Sequence, residues 1–240
     1  EQFGLWMVIS SLVVWLQLTD FGIGNGLVNA LAEANGRNDK ESACSYFTTA
    51  FCSITVIAFI LFAPVLIAAF FIPWNSVLNL DNASLLHDAK LCFIIVGIFF
   101  FINMPLSIAN KALGAFQKGY LVNITQVAAS LSSLSFLIIA IAMELTLPWL
   151  VSFVSAGTVF GNALSWFFLR GEIPWLKMQL KNISREALRR VARSSVPLFL
   201  FQIGALLLNQ TANIILAQFG GLTMVADYNI LAKFYSFIFS

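Results

Sequence analysis

Charge is what this sequence has least of. Asp, Glu, Lys and Arg make up 10% of its 240 residues, against about 25% in an average soluble domain. Disordered chains are polar and charge-rich, so disorder is excluded. A formal net charge of +2 leaves no strong footprint for a nucleic acid, and no such partner is expected. Histidine occurs once, as His87, and cysteine three times, as Cys44, Cys52 and Cys92. They form no Cys/His cluster with metal spacing and no even, closely spaced disulfide framework. The cysteines read as small apolar packing residues. There is no signal peptide, the first residue is Glu1, and Ser240 falls inside an apolar stretch. The expectation is a piece of a longer chain.

What the sequence has in place of charge is apolar surface. Hydrophobic residues make up 60% of it, with 24 Phe and 6 Trp. One soluble domain cannot hide that much, so a soluble enzyme is excluded and a membrane protein with several spans is left. A helix crossing about 30 Å of hydrocarbon needs about 20 mostly apolar residues. Residues 3–34, 43–72, 91–116, 121–145, 148–169 and 196–219 each qualify, and a seventh span begins near 225. Pro64 lies inside span two, Pro73 ends it, and Pro105 predicts a kink in span three. The fold class is all-α, a polytopic membrane helical bundle.

Basic residues divide the loops into two sides. Arg37, Lys40, Lys111, Lys118, Arg170, Lys177, Lys181, Arg185, Arg189, Arg190 and Arg193 fall at or near the loops after spans one, three and five. The loops after spans two, four and six hold Lys90 alone. The positive-inside rule places the first set in the cytoplasm. The longest connection, residues 171–195, carries Leu176, Leu180, Ile183, Ala187 and Val191 at steps of three and four. Lys177, Lys181, Arg185, Arg189 and Arg193 recur at steps of four. This predicts a basic amphipathic helix, broken near residues 182–184, on the cytoplasmic face. It serves either as an ordinary positive anchor or as a linker gripping anionic head groups.

Polar residues are costly in hydrocarbon, so their placement carries information. Each span has a polar stripe at helical spacing. Span one has Ser10, Gln17, Asp20 and Gly24; span two Ser45, Thr48, Cys52 and Thr55; span three Asn103, Ser107, Asn110 and Gly114. Span four has Asn123, Gln126, Ser130 and Ser133; span five Ser155, Thr158, Asn162 and Ser165; span six Gln202, Asn209 and Asn213. Close packing through small residues explains the Ser, Thr and Gly members. The Asn and Gln amides need several partners each, which a water-filled cavity would supply. Asp20 lies about 21 Å along a helix from the cytoplasmic end. It faces a cavity or partners backbone amides freed in a helix that Gly22, Gly24 and Gly26 loosen. Lys233 falls near mid-membrane and Asp227 near the mouth of the same span. Lys111, near the end of span three, either snorkels or lines a vestibule. Glu144 reads as interfacial, and His87–Asp88 as loop residues without a catalytic role.

Several segments resemble the Wzx-type O-antigen and polysaccharide flippases. Phe3-Gly4-Leu5-Trp6, Leu18-Thr19-Asp20-Phe21-Gly22-Ile23-Gly24-Asn25-Gly26-Leu27 and Ala32-Glu33-Ala34-Asn35-Gly36-Arg37-Asn38-Asp39 look like that family's second helix and first cytoplasmic loop. Asn110-Lys111-Ala112-Leu113-Gly114-Ala115-Phe116-Gln117-Lys118-Gly119-Tyr120 looks like its helix 4–5 junction. Leu147-Pro148-Trp149-Leu150 looks like the start of helix 6. Pro197-Leu198-Phe199, Asn209-Gln210-Thr211-Ala212-Asn213 and Ala226-Asp227-Tyr228 look like helix 7 and the entry to helix 8. The family shares its fold with the MATE exporters and lipid II flippases, a MOP-type arrangement of two six-helix lobes around a central cavity.

The resemblance implies helices 2–7 and the start of 8 of a fold with twelve or more. Residues 1–170 would belong to the N-terminal lobe, 171–194 to a basic interlobe linker and 195–240 to the start of the C-terminal lobe. It also implies flipping of an undecaprenyl-diphosphate-linked oligosaccharide across the bacterial inner membrane by alternating access. The expected cavity residues are Asp20, Asn25, Asn103, Asn110, Lys111, Gln126, Asn162, Asn209, Asn213, Asp227 and Lys233. Amides suit sugar hydroxyls and Lys suits diphosphate. No cofactor is expected beyond a coupling proton or sodium ion, which Asp20 and Asp227 would carry. The expected partners are the lipid-linked oligosaccharide, membrane lipids, and a polysaccharide polymerase and chain-length regulator. Two alternatives stand: a MATE-type cation or drug exporter, which would want a more acidic cavity, and a membrane-embedded glycosyltransferase or polymerase, which would need a larger outer loop.

Overall fold

The computed structural model describes residues 17–71, 83–205 and 235. A 3-10 turn, Gln17–Asp20, leads into α1 (Ile23–Gly36). α2 (Lys40–Phe71), α3 (Ala83–Leu106), α4 (Ile108–Ala115), α5 (Gly119–Ala142) and α6 (Leu147–Glu172) follow. A second 3-10 turn, Leu180–Asn182, precedes a helix over residues 185–205. The first compact unit ends at Val196. In the second, residues 197–205 are helical. The first half of span one, most of spans six and seven, and Asn209, Asn213, Asp227 and Lys233 lie outside the described residues.

Three helix connections close in the same way. Asn38, Gln117 and Glu144 have φ of 55°, 59° and 53°. The next amide in each case reaches back to the carbonyl five residues earlier: Asp39 to Ala34 at 2.9 Å, Lys118 to Leu113 at 2.9 Å, and Leu145 to Ala140 at 3.1 Å. This is the Schellman closure, which satisfies the last carbonyls of a helix while reversing the chain. Glycine is its usual left-handed residue, and none of the three is glycine. α1–α2, α4–α5 and α5–α6 are therefore joined by short, fixed turns. Pro148 in the first turn of α6 has no N–H to leave unpaired there. Asp39 also caps α2, accepting the Ser42 amide at 3.0 Å. Bonds from Ser42 hold the exposed Asp39 carboxyl below its ordinary value of 3.8.

Two expected spans are broken rather than continuous. Span one is interrupted at Phe21 and Gly22, which have φ of 50° and 70°. Two successive left-handed residues end the 3-10 turn and restart the chain as α1. Span three breaks at Ser107, two residues after Pro105. The Leu106 carbonyl at that break accepts the Trp166 indole N–H at 2.9 Å. The expected kink is present, and α6 supplies the partner that the broken helix lacks.

The connection after α6 has its break near residues 182–184 and a helix beyond it, as expected, but its first half is not the helix that the spacing predicts. Helix begins only at residue 185. Leu176, Ala187 and Val191 are buried, whereas Leu180 is 77% exposed. The reason lies in α2, whose side chains take up the backbone of this segment. Cys44 Sγ–H bonds the Trp175 carbonyl at 3.4 Å and Ser45 Oγ–H the Asn182 carbonyl at 2.8 Å. The Gln179 and Ser184 amides reach Thr48 and Thr49 at 3.5 and 3.4 Å. Lys40 lies over the Trp175 ring at 5.5 Å. A helix would need those backbone groups for itself.

The core is built on Leu27 and Leu31 of α1, Phe47 and Ile54 of α2, and Ile108 and Leu113 of α4. Trp166 of α6 meets the rings of Phe47 and Phe51 at 5.8 and 5.5 Å. The opposite faces carry Phe59, Ile60, Leu131, Phe167 and Phe71, the last 82% exposed. That distribution suits hydrocarbon on the outside. Four stretches are long and apolar enough to cross a membrane: Lys40–Phe71, Leu86–Ala115, Gly119–Ala142 and Leu147–Glu172. The chain is a multi-pass membrane protein. Cys44, Cys52 and Cys92 are free thiols in the packing.

Lipid tails are as apolar as leucine, so these helices associate through close packing rather than water exclusion. α5 and α6 show how. A Cβ on Gly157 would strike the backbone of Ser133, and one on Gly161 would strike Ala129 and the Thr125 carbonyl. Thr125, Ala129 and Ser133 recur at steps of four, as Gly157 and Gly161 do. Gly26 of α1 meets Ser195 and the Val191 carbonyl in the same manner.

Gly161→Leu should force α5 from α6 and lower the midpoint of thermal unfolding by about 5 °C or more. Gly171→Ala, whose Cβ meets nothing within 4 Å, should leave the midpoint unchanged; equal effects would refute the close-contact account. Because the Asp39 carboxyl is depressed, its cap contributes above pH 3.8 and is lost as pH falls through its folded value. Asp39→Asn keeps an N-cap that cannot titrate. Acid-induced fraying at Ser42, followed by amide exchange, should then disappear from the variant.

Candidate functional site

Five side chains from four helices form one directed chain of hydrogen bonds. Thr125 Oγ on α5 lies 2.9 Å from Asn110 Oδ1 on α4 and 2.8 Å from the Val122 carbonyl, and its one hydroxyl hydrogen is shared between the two. Asn110 Nδ2 donates to Asn162 Oδ1 on α6 at 2.8 Å. Asn162 Nδ2 donates to Asn103 Oδ1 on α3 at 2.8 Å. Asn103 Nδ2 donates to Thr158 Oγ1 on α6 at 3.1 Å. The direction is set at its end, because the Thr158 hydroxyl hydrogen is used on the Ser155 carbonyl at 2.7 Å. Thr158 must therefore accept, and each carboxamide orientation follows in turn. Each amide has two N–H donors and spends one inside the chain. Among the described residues, nothing accepts the second.

A second polar group adjoins the first, because Lys111 follows Asn110 on α4. Ile108, Ala109, Ala112, Leu113 and Ala115 bury the other faces of this short helix. Lys111 Nζ donates to Asn25 Oδ1 at 2.9 Å. The lysine stem crosses Gly24, where an added Cβ would sit 3.2 Å from Lys111 Cε and 3.4 Å from Asp20 Oδ2. A larger residue at 24 would press on both. Asp20 Oδ1 accepts the Gly22 amide at 2.9 Å, so one oxygen serves the backbone break and the other faces the lysine stem. The Thr19 hydroxyl approaches Met104 Sδ at 4.0 Å.

The two polar groups thus bring together Asp20, Asn25, Asn103, Asn110, Lys111 and Asn162 of the expected cavity residues. Gln126 is exposed on α5 and stands outside both groups. Two further members had weaker signals. Thr125 shares its spacing with the small residues Ala129 and Ser133. Thr158 belongs to the span-five stripe and lies within Gly157-Thr158-Val159-Phe160-Gly161, a pattern that brings helices close. No three His, Cys, Asp or Glu side chains converge among the described residues.

Charged pairs gather at one end of the bundle. Arg37 bonds Glu33 at 2.5 Å, and Arg190 bonds the other oxygen of the same carboxylate. Lys118 meets Glu172 at 2.8 Å. The Glu172 bond and charge raise the Lys118 ammonium above its ordinary 10.5. That contribution is present below pH 10.5 and fades as pH rises through the folded value.

Apolar helices, two of them broken beside a row of carboxamides, define a multi-span membrane protein. The fold is that of a MOP superfamily transporter from Pyrococcus furiosus. The two superpose with a TM-score of 0.77 at 16% identity, over 97% of this chain and 52% of that one. The family model described as "Polysaccharide biosynthesis protein" matches residues 1–240, and the chain belongs to that family. It is 24% identical over 221 residues to the Bacillus subtilis protein named "Uncharacterized membrane protein EpsK", covering 90% of this chain and 43% of that one. It is 23% identical over 247 residues to the Salmonella typhimurium protein named "Putative O-antigen transporter", covering 100% and 54%. The chain spans about half the length of these curated relatives.

If the amide chain is one unit, its losses are coupled. Asn162→Ala strands Asn103 Oδ1 and Asn110 Nδ2 and should cost about 1–2 kcal/mol. Adding Asn103→Ala should cost clearly less than its own single effect. A double-mutant cycle in unfolding stability measures this, and strict additivity would show independent contacts.

Proposed function

We propose that this chain is part of a flippase moving an undecaprenyl-diphosphate-linked oligosaccharide across the bacterial inner membrane. Family membership supports a place in polysaccharide biosynthesis, and the relative named "Putative O-antigen transporter" supports transport. The observation that carries the reading is the amide chain beside Lys111. Asn103, Asn110 and Asn162 hold one another in fixed orientations while each keeps an N–H that nothing accepts among the described residues. Such a row suits sugar hydroxyls, which accept hydrogen bonds and have no charge. Lys111 supplies a point cation for the diphosphate, already oriented by Asn25. The lipid tail stays in the bilayer while the polar head passes between two lobes by alternating access.

In this reading the end carrying Arg37, Lys40, Lys118 and Arg170 is cytoplasmic, by the positive-inside rule. Residues 1–170 belong to the N-terminal lobe, 171–194 to the interlobe linker and 195–240 to the C-terminal lobe. Gln126, Asn209, Asn213, Asp227 and Lys233 complete the cavity. Asp20 and Asp227 carry a coupling proton or sodium ion, and a polymerase and chain-length regulator act on the product. The protein performs no covalent chemistry.

Deletion of the gene encoding this chain should abolish surface polysaccharide and trap lipid-linked intermediates on the cytoplasmic face. An intact coat with new sensitivity to cationic drugs would favour an exporter. In the complemented strain, Lys111→Gln should reduce flipping about tenfold or more, as loss of a charged phosphate contact. Asp20→Asn should alter the ion dependence of flipping; if it leaves both rate and ion dependence unchanged, Asp20 carries no coupling ion.

A further inference from the structure

The segment between α6 and the following helix has two unlike sides. Its inner side is fixed to α2, where Cys44 and Ser45 bond backbone carbonyls and Thr48 and Thr49 accept backbone amides. Ala187 and Val191 anchor the next helix turn in the core. Its outer side carries exposed Met178, Leu180, Ile183 and Leu188. Interleaved with them are exposed Lys177, Lys181, Arg185, Arg189 and Arg193. None of these cations pairs with a carboxylate among the described residues; Arg190, which does, points to Glu33. Glu186 is the one acid on the same stretch.

The length of α2 fixes the depth of this platform. Residues 50–71 are apolar apart from Cys52, Ser53 and Thr55, and both hydroxyls bond back to their own helix. That run is about 33 Å long, enough to cross the hydrocarbon core. Residues 40–49 then project about 15 Å beyond it. The segment is fastened along residues 44–49, so Leu180 and Ile183 sit at the hydrocarbon boundary and the cations at head-group level. In water such a row of bare apolar side chains would be costly. At the membrane interface the apolar side chains enter the acyl boundary and the cations meet phosphate.

We propose that residues 177–193 form a preorganised docking surface for anionic phospholipid head groups of the surrounding bilayer. Lys177, Lys181, Arg185 and Arg189 contact lipid phosphates, and Leu180 and Ile183 are the apolar anchors. Charge complementarity and the depth set by α2 both select a lipid over a protein. The assignment is independent of the transported substrate.

The test places the purified protein in nanodiscs of mixed phosphatidylglycerol and phosphatidylcholine, then reads retained lipid by native mass spectrometry. Wild type should retain phosphatidylglycerol over phosphatidylcholine by about tenfold relative to the bulk ratio. The combined variant Lys177→Gln, Lys181→Gln, Arg185→Gln, Arg189→Gln should bring that preference to the bulk ratio. Should it not fold, Lys181→Gln and Arg189→Gln singly should each reduce the preference about two- to fivefold. Leu180→Ser should lower retention of both lipids and leave their ratio unchanged. Wild-type retention at the bulk ratio, or a folded variant that keeps the full preference, overturns the proposal. So does a photocrosslinker at position 180 that captures protein in place of lipid.

Discussion

A carboxamide inside a bilayer cannot borrow partners from water, and this constraint organises the middle of the bundle. Asn103, Asn110 and Asn162 belong to three different helices, yet each amide finds its partner on another. α5 joins this row because it approaches α6 at glycine distance. Gly157 and Gly161 admit the backbone of Thr125, Ala129 and Ser133, which brings the Thr125 hydroxyl within reach of Asn110. Packing and polar satisfaction are therefore one arrangement. An added methyl at Gly161 displaces helix α5 and with it the first donor of the chain. Loss of one amide strands two neighbours.

The breaks in spans one and three serve the same arrangement. Pro105 ends α3 and lets α4 restart after Ser107 with a new facing. Five apolar residues of α4 are then buried while Asn110 and Lys111 point to polar partners. A continuous helix would have carried Lys111 on the stripe of α3, away from Asn25. Trp166 stabilises the break through the Leu106 carbonyl and packs on Phe47 and Phe51. The cation is thus positioned by a proline, an indole and a buried face.

Much of this was legible in the sequence. The apolar runs mark α2, α5 and α6 within a few residues, and Pro105 marks the break in span three. α3 itself begins at Ala83, eight residues before the run expected from 91, so His87 and Asp88, expected in a loop, are helical. Asp20, Gly24 and Asn25 stand out as polar or small residues in an apolar span. The pairing of side chains was not legible. The spacing in span four puts Asn123, Gln126, Ser130 and Ser133 on one stripe, but the first three are exposed, and Ser133 packs on α6 together with Thr125. The choice is made by Gly157 and Gly161 on another helix, a contact that no local pattern contains. The segment after α6 was misread for a related reason. Its spacing of Leu176, Leu180, Ile183, Ala187 and Val191 fits a helix. Hydrogen-bonding side chains on α2, more than 120 residues earlier in the chain, take its backbone instead.

Electrostatics ties the two breaks together. The restart at Ile23 exposes unpaired amides, and a helix start is favourable for negative charge. Asp20 satisfies one such amide, at Gly22. The restart at Ile108 does the same for α4, and Lys111 sits in its first turn, where positive charge is disfavoured. Lys111 is therefore the misfit of the pair, held by the Asn25 carbonyl oxygen and faced by an Asp20 oxygen across Gly24. An anion arriving beside Lys111 would meet both a cation that forms no ion pair among the described residues and the start of α4. The Asp20 carboxylate across Gly24 would oppose that arrival, and a cation beside it would ease it. In the proposed reading, this arrangement of charge is what would link an anionic substrate at Lys111 to a cation at Asp20.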